Sequence, residues 1–519
     1  MSNTRSKTIL ALALIASAVP VVAALKQPVR TKSGLVEGIT TGDVTAFKGI
    51  LFAAPPVGDL RWRAPRPAAR WSGVRQADRF SRDCFQAKTG AFGPWSAEYI
   101  AHDAMEGGSS EDCLYLNVWT AAAKADEKRP VIVWIHGGGF TSGSGGVPVY
   151  DGAGLASKGV VMVTINYRLG VFGFLAHPEL TKESGHEASG NYGLADMIAA
   201  LEWVRKNISA FGGDPAKVTI AGQSAGAFAV NYLMASPLAK GLFQRAIAES
   251  GGAFNGSLSL KEAEVAGEKL AAMHAARNIA ELRGIPSDAL LPKERGNRAG
   301  PIVDGYVVPR EVYATFAEGR QNDVPLLTGW NQDDGVSFGE PPKADAFRAQ
   351  AKRNYGGLAD SFLKAFPADT DAEAARSQHA LARDQLFAWQ GRTWARLQAK
   401  TGKSKIFLYY FDHTAPGMPE QTKYGAFHSS EIPFALNTLA EWDRPWTATD
   451  RKIAEQMSAY WVNFAKNGDP NGPGLSRWPA YMREDERSLR LGEKIEPIPL
   501  PSAAELDFFD QYYARERVR

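Results

Sequence analysis

The stretch Val218-Thr219-Ile220-Ala221-Gly222-Gln223-Ser224-Ala225-Gly226-Ala227-Phe228-Ala229-Val230 decides how this chain is read. Its first four residues form a short β-prone run, its middle is Gly-x-Ser-x-Gly, and from Ala227 apolar residues recur at helical spacing through Val230 and Leu233. A strand that turns abruptly into a helix strains the backbone at the bend. Side chains at Gly222 or Gly226 would collide with neighbouring elements. Ser224 is thereby pushed out of the sheet edge, where a substrate can reach its hydroxyl.

Working outward, Val131 to Ile135 and Val160 to Ile165 are continuous apolar runs, as expected of strands buried on both faces of a parallel sheet. Arg245 to Glu249, Pro325 to Thr328 and Ile406 to Phe411 read as three further strands. Leu194, Met197, Ile198, Leu201, Val204 and Ile208 make one apolar helical stripe that packs on the sheet. Before these, Gly34 to Trp71 alternates β-prone runs such as Val44 to Phe47 with Gly and Pro turns, predicting an antiparallel edge. Helical patterns over roughly residues 255–320 and 340–400 read as insertions over the sheet. Asp450 to Lys466 is a late helix stopped at Gly468-Asp469-Pro470-Asn471. The expected class is α/β: a large, mostly parallel central sheet with an antiparallel N-terminal edge and helices on both faces.

With 519 residues, 45% of them hydrophobic and 22% charged, the chain has ample material for a core. Arg5 and Lys7 precede an apolar run from Thr8 to Val22, and Val22-Ala23-Ala24 suits cleavage after Ala24. That run is about 15 residues, short of the roughly 20 that span a bilayer, so residues 1–24 read as a cleaved export signal rather than an anchor. The expectation is a periplasmic or secreted protein whose single domain occupies 25–519. Removing Arg5 and Lys7 takes the formal charge from +3 to +1, which gives no nucleic-acid signal. Cys84 and Cys113, an even pair in an exported chain, predict one disulfide. No further sulfur and no paired histidines offer a metal site, so neither metal nor cofactor is expected.

A serine hydroxyl is barely nucleophilic at neutral pH and needs a base oriented by a carboxylate. In the architecture that carries this motif the chain order is nucleophile, acid, histidine. Of eight histidines only His379, His413 and His428 come late enough. His379 lies within a helical pattern and His413 ends a strand. His428 sits in the glycine-flanked loop Tyr424-Gly425-Ala426-Phe427-His428-Ser429-Ser430-Glu431 and is assigned as the base. The acid should follow the strand that leads into Gly329-Trp330-Asn331-Gln332-Asp333-Asp334-Gly335, where two adjacent aspartates compete and local sequence does not choose. Strand Val131 to Ile135 delivers His136-Gly137-Gly138-Gly139-Phe140, a glycine run able to turn its amides inward. Gly138 and Gly139, with the amide of Ala225, are the expected donors to a developing oxyanion.

These motifs resemble the type-B carboxylesterase family, which includes bacterial para-nitrobenzyl esterases, animal carboxylesterases and cholinesterases. Phe211-Gly212-Gly213-Asp214-Pro215 through Gly226 is similar to its nucleophile signature, and Glu111-Asp112-Cys113-Leu114-Tyr115-Leu116-Asn117-Val118-Trp119 to its second. The resemblance implies the α/β-hydrolase fold, a small-molecule ester substrate, two-step acyl transfer without a cofactor, and no nucleic-acid or membrane partner. By motif it places the acid on Asp334, with Asp333 in reserve, the base on His428, and a disulfide between Cys84 and Cys113. Lipase, feruloyl, tannin, polyester and mycotoxin-ester hydrolysis are all compatible with it. The rival is a binding homologue that has lost the chemistry; here the serine, acid and histidine are all present.

Two departures stand out. Gln223 occupies a position where the family usually has Glu, so protonated His428 should be less favoured and the acidic limb of activity should lie lower. Trp95 sits early between the cysteines, whereas the tryptophan that binds choline should lie late, near His102-Asp103-Ala104-Met105. A broad apolar pocket lined by Phe140, Trp330, Phe338 and Phe434 is expected instead.

Overall fold

The computed structural model describes residues 24–88, 90–100, 108–291, 299–336 and 341–517. Residues 1–23 of the expected export signal, Phe338 and the stretch His102 to Met105 lie outside the described residues.

Among the described residues eleven strands hydrogen-bond into one sheet. In chain order they are β1 (Ile39–Thr41), β2 (Val44–Leu51), β3 (Tyr115–Thr120), β4 (Arg129–Ile135), β5 (Val161–Ile165), β6 (Gly213–Gln223), β7 (Arg245–Glu249), β8 (Leu326–Asn331), β9 (Ile406–Phe411), β10 (Arg487–Leu491) and β11 (Glu496–Pro499). Across the sheet the order is β11-β10-β9-β8-β7-β6-β4-β5-β3-β2-β1. From β10 to β5 neighbouring strands run parallel. β11 closes one margin antiparallel, and β3, β2 and β1 close the other.

Burial on both faces explains the unbroken apolar strands. Val131, Val133 and Ile135 of β4 face one core with Leu194, Met197, Leu201 and Val204 of helix α1 (Tyr192–Asn207). Ile132 and Trp134 face the other core, with Ile453, Met457, Trp461 and Phe464 of the helix Ala448–Asn467. That late helix starts at a Thr447 capping box and ends at Gly468, whose left-handed φ of 79° stops it at the expected breaker.

The expected antiparallel N-terminal edge is present in β1 and β2, and the segment Gly34 to Trp71 also contributes to a second sheet. β1 and β2 join the large sheet, but Leu35–Glu37 pairs with Val29–Arg30 and Val74–Gln76 in a separate three-stranded sheet. The chain changes sheet at Gly38, where a Cβ would lie 2.3 Å from the Ala46 carbonyl oxygen. The margin strands β10 and β11 escape the sequence reading, because Arg487 and Arg490 interrupt one run and Pro497 and Pro499 the other.

Between β7 and β8 lie the helices Leu260–Met273, Ile279–Arg283, Ser287–Leu290 and Val312–Ala317. Between β8 and β9 lie Ala344–Tyr355, Ala359–Ala365, Asp371–Arg383 and Trp389–Thr401. The last two are joined without a break by a π-helical turn, Asp384–Ala388. Cys84 and Cys113 are disulfide-bonded, and both are buried. Among the described residues no helix is long and apolar enough to cross a membrane.

Candidate active site

β6 ends at Gln223 and helix α2 (Ala225–Ala235) begins one residue after Ser224. Ser224 takes φ 55° and ψ −124°, a strained conformation for a residue with a Cβ. The bend closes against β4 so tightly that a Cβ at Gly226 would lie 2.0 Å from the Ile135 carbonyl oxygen. The Ser224 amide donates to the Glu249 carbonyl at 2.9 Å, which ties the elbow to the end of β7.

The turn after β8 and the loop after β9 bring the other two residues together. His428 Nδ1 lies 2.8 Å from Asp334 Oδ1, and both side chains are buried. Asp334 Oδ2 accepts from the Asn331 amide at 2.7 Å and from Ser250 Oγ at 2.9 Å. A carboxylate with three fixed partners holds the imidazole in one orientation, with Nδ1 toward the acid, so that Nε2 is the nitrogen that can serve as base. The adjacent aspartate serves differently: Asp333 Oδ2 accepts from the Ala426 amide at 2.9 Å, bracing the loop that carries His428.

The glycine run lies against the elbow. Gly138 and Gly139 take φ of 104° and 62°, and a Cβ at Gly138 would lie 2.1 Å from the Ser142 carbonyl oxygen. Among the described residues no backbone carbonyl outside the helices and strands accepts from the amides of Gly138, Gly139 or Ala225. His136 stacks on Tyr167 with ring centroids 4.3 Å apart, and burial pushes its imidazole down to about 4. It is neutral at neutral pH, and Nδ1, 2.8 Å from the Gly137 carbonyl, is the nitrogen that carries the proton.

Contacts around His428 include groups that the sequence reading does not assign to it. Phe387, in the π turn, stacks on the imidazole at 4.5 Å and 20°. Trp95 stands edge-on to it at 6.5 Å and 84°, while its indole nitrogen donates to the His428 carbonyl at 3.1 Å. Tyr99 donates to the Ser429 carbonyl at 3.2 Å. Gln223 Nε2 lies 3.4 Å from Nδ1 and 3.3 Å from Nε2 of the same ring. Trp95, early in the disulfide-bounded loop, thus reaches the base from an unexpected position. Phe387 leaves no signal in the sequence, because the extra residue of a π turn moves a side chain off the helical stripe.

Of the expected pocket aromatics, Phe140 lies next to the glycine run with φ 60° and packs on Phe174. Trp330 and Phe434 are corrections: both are fully buried. Trp330 packs toward Tyr410 and Gly391, and Phe434 among Phe411, His413 and Trp446, so both belong to the core. Of the passed-over histidines, His379 lies in the helix Asp371–Arg383 and His413 pairs with Asp450 at 2.6 Å.

A serine on a strand-to-helix elbow, next in sequence to a glutamine that reaches the imidazole of a histidine paired with an acid from a later strand of a mostly parallel sheet, defines the α/β-hydrolase class. The chain belongs to the carboxylesterase family, whose profile matches residues 26–509, and it is a carboxylic ester hydrolase. It is 41% identical over 494 residues to a fumonisin B1 esterase of Sphingopyxis macrogoltabida, covering 91% of this chain and 88% of that one. It is 35% identical over 490 residues to a para-nitrobenzyl esterase of Bacillus subtilis, covering 90% and 95%. Among solved structures, a thermophilic PNB esterase superposes with a TM-score of 0.81 at 33% identity, covering 92% of this chain and 99% of that one. A carboxylesterase of Geobacillus stearothermophilus gives 0.79 at 32%, with the same coverage.

Proposed function

We propose that ester cleavage proceeds through a covalent acyl-enzyme on Ser224. His428 takes the serine proton as Oγ attacks the ester carbonyl, and Asp334 steadies the imidazolium that forms. The amides of Gly138, Gly139 and Ala225 receive the oxyanion. The imidazolium returns its proton to the leaving alcohol; water then attacks the acyl-enzyme by the same route and frees the acid. The observation that carries this reading is the 2.8 Å contact between Asp334 and His428, whose ring is also reached by Gln223, the residue before a serine strained at a strand-to-helix bend.

The substrate is a small-molecule carboxylic ester. Similarity to a relative named fumonisin B1 esterase favours a specialised reading, in which a mycotoxin ester is the natural substrate. The enzyme acts outside the cytoplasm, in the periplasm or the medium, as one domain over 25–519 after removal of residues 1–24. A structural disulfide supports an oxidising compartment.

Hydrolysis of short p-nitrophenyl esters and labelling by a fluorophosphonate probe test the chemistry. Both should vanish in Ser224→Ala, with kcat/KM falling by about 10⁵ to 10⁶. Persistence of either in that variant overturns the assignment. Comparing fumonisin B1 with simple esters of matched acyl length separates the specialised reading from a general one.

A further inference from the structure

Beneath the reacting groups lie two carboxyls that the acyl-transfer steps leave unused. Glu249 ends β7, and Glu431 follows His428 by one turn of the same loop; both are fully buried. Each is tied by hydrogen bonds to a segment that carries a reacting group. The Glu249 carbonyl receives the Ser224 amide at 2.9 Å. Glu431 is held by Asn331 Nδ2, which also donates to the Phe427 carbonyl at 2.9 Å, and the Asn331 amide binds Asp334.

The partners of these carboxyls are neutral. Trp461 Nε1 donates to Glu249 Oε1 at 2.8 Å, and Asn331 donates to Glu431 Oε2. The remaining oxygens, Glu249 Oε2 and Glu431 Oε1, have no hydrogen-bond partner among the described residues. The titratable groups facing the pair are Asp334 from the acid turn, Tyr409 from β9, Tyr150 from the turn Pro148–Tyr150 and Tyr99 from the turn Ala97–Tyr99. His428 stands beyond Asp334, and Gln223 is in register with Glu249 on the adjoining strand. Glu98 and Arg444 reach Tyr99, but among the described residues neither Glu249 nor Glu431 forms an ion pair with a lysine or arginine.

Burial pushes the Glu249 carboxyl up to about 8. It pushes Glu431 well above the usual carboxylate range, and the charges of Glu249 and Asp334 push it further. Three buried carboxylates without a cation cannot all be ionised.

We propose that Glu249 and Glu431 are a positioning pair that works protonated: protons kept on them leave Asp334 the single negative charge facing His428 and give an otherwise unpartnered carboxyl a hydrogen to donate. The inference rests on the reading of Asp334 and His428 as acid and base. Ionisation of the pair adds charge beside Asp334 and disturbs the loop that carries the base, so turnover falls on the alkaline side while substrate binding does not. The native state holds protons that the unfolded chain has released, so stability falls as pH rises from the ordinary carboxylate range through that of Glu249.

The test replaces each carboxyl by its neutral isostere: Glu249→Gln, Glu431→Gln and the double variant. At neutral pH kcat on a short p-nitrophenyl ester stays within about threefold of wild type. The alkaline limb of kcat moves up by about one pH unit or more, with KM unchanged. Urea titrations show wild-type stability declining from about pH 5 to about pH 8, and the decline disappears in the double variant. An unmoved alkaline limb overturns the proposal, as does a loss of more than about tenfold at neutral pH in a variant with native circular dichroism. Should the double variant not fold, the wild-type titration decides: a flat profile overturns the pairing. Wild-type labelling by the fluorophosphonate separates the two readings, since an unlabelled enzyme removes the triad and a labelled enzyme with no alkaline transition removes only the pair.

Discussion

The strand ends that meet His428 and the loops that cover it hold the same imidazole by different physics. At the strand ends, Asp334 takes one nitrogen, and its own carboxylate is fixed by Ser250 and the Asn331 amide. All three residues are fully buried, at or just beyond the ends of β8 and β7. In the covering segments, Phe387 offers a ring face and Trp95 a ring edge. Trp95 belongs to a loop anchored by the Cys84–Cys113 disulfide, where its neighbour Phe92 is 45% exposed. Buried hydrogen bonds to a charge act over short, directed distances and fail steeply, whereas aromatic contacts of this kind contribute about 0.5 to 1.5 kcal/mol each and adapt. On the proposed mechanism the strand ends therefore set whether His428 works as a base, and the cover sets how well it is held.

The sharpest way to break this comparison is at the acid. Asp334→Asn should lower kcat/KM by about 10⁴, as loss of the carboxylate strands the wrong tautomer, whereas Asp333→Asn should cost about tenfold or less because its bonds reach the Ala426 amide and Gln332 Nε2, not the imidazole. Equal losses in ester-hydrolysis assays would erase the distinction between the two aspartates. Removing the anchor of the cover comes next. Cys84→Ser with Cys113→Ser should lower unfolding free energy by about 3 to 4 kcal/mol, read by chemical denaturation, and lower activity far less than the acid does.

Gln223→Glu probes the boundary between the regions. A carboxylate against the imidazole favours its protonated form, which is inactive as a base, so the acidic limb of kcat/KM should move up by about one pH unit. A coincident profile would show that the amide does not govern the base. The smallest effect is expected at Trp95→Phe, which keeps a ring and deletes the bond to the His428 carbonyl. There kcat should fall by less than about tenfold with KM little changed and full labelling at saturating probe. A loss as large as that of Asp334→Asn would place Trp95 with the strand ends.

Legibility in the sequence follows the range of the interactions. The elbow is readable because its strain, its glycines and the strand and helix around it lie within a dozen residues. Strands β4 to β9 are readable because burial on both faces leaves continuous apolar runs, and β7 and β9 appear with the expected ends. β10 and β11 are not, since margin strands carry charge and proline. Trp330 reads as a pocket residue because its neighbours in sequence are site residues, while strand alternation turns its side chain into the core.

The sequence by itself determined the fold class and pointed to the proposed nucleophile and the order of the proposed acid and base, because each depends on local backbone geometry or on the direction of a strand. Only the tertiary structure decided which groups surround the base. Phe387, Trp95 and the buried pair Glu249 and Glu431 come from distant elements, and what they do depends on shared burial. Removal from water turns an ordinary carboxyl into one that keeps its proton, and no local pattern of residues records that.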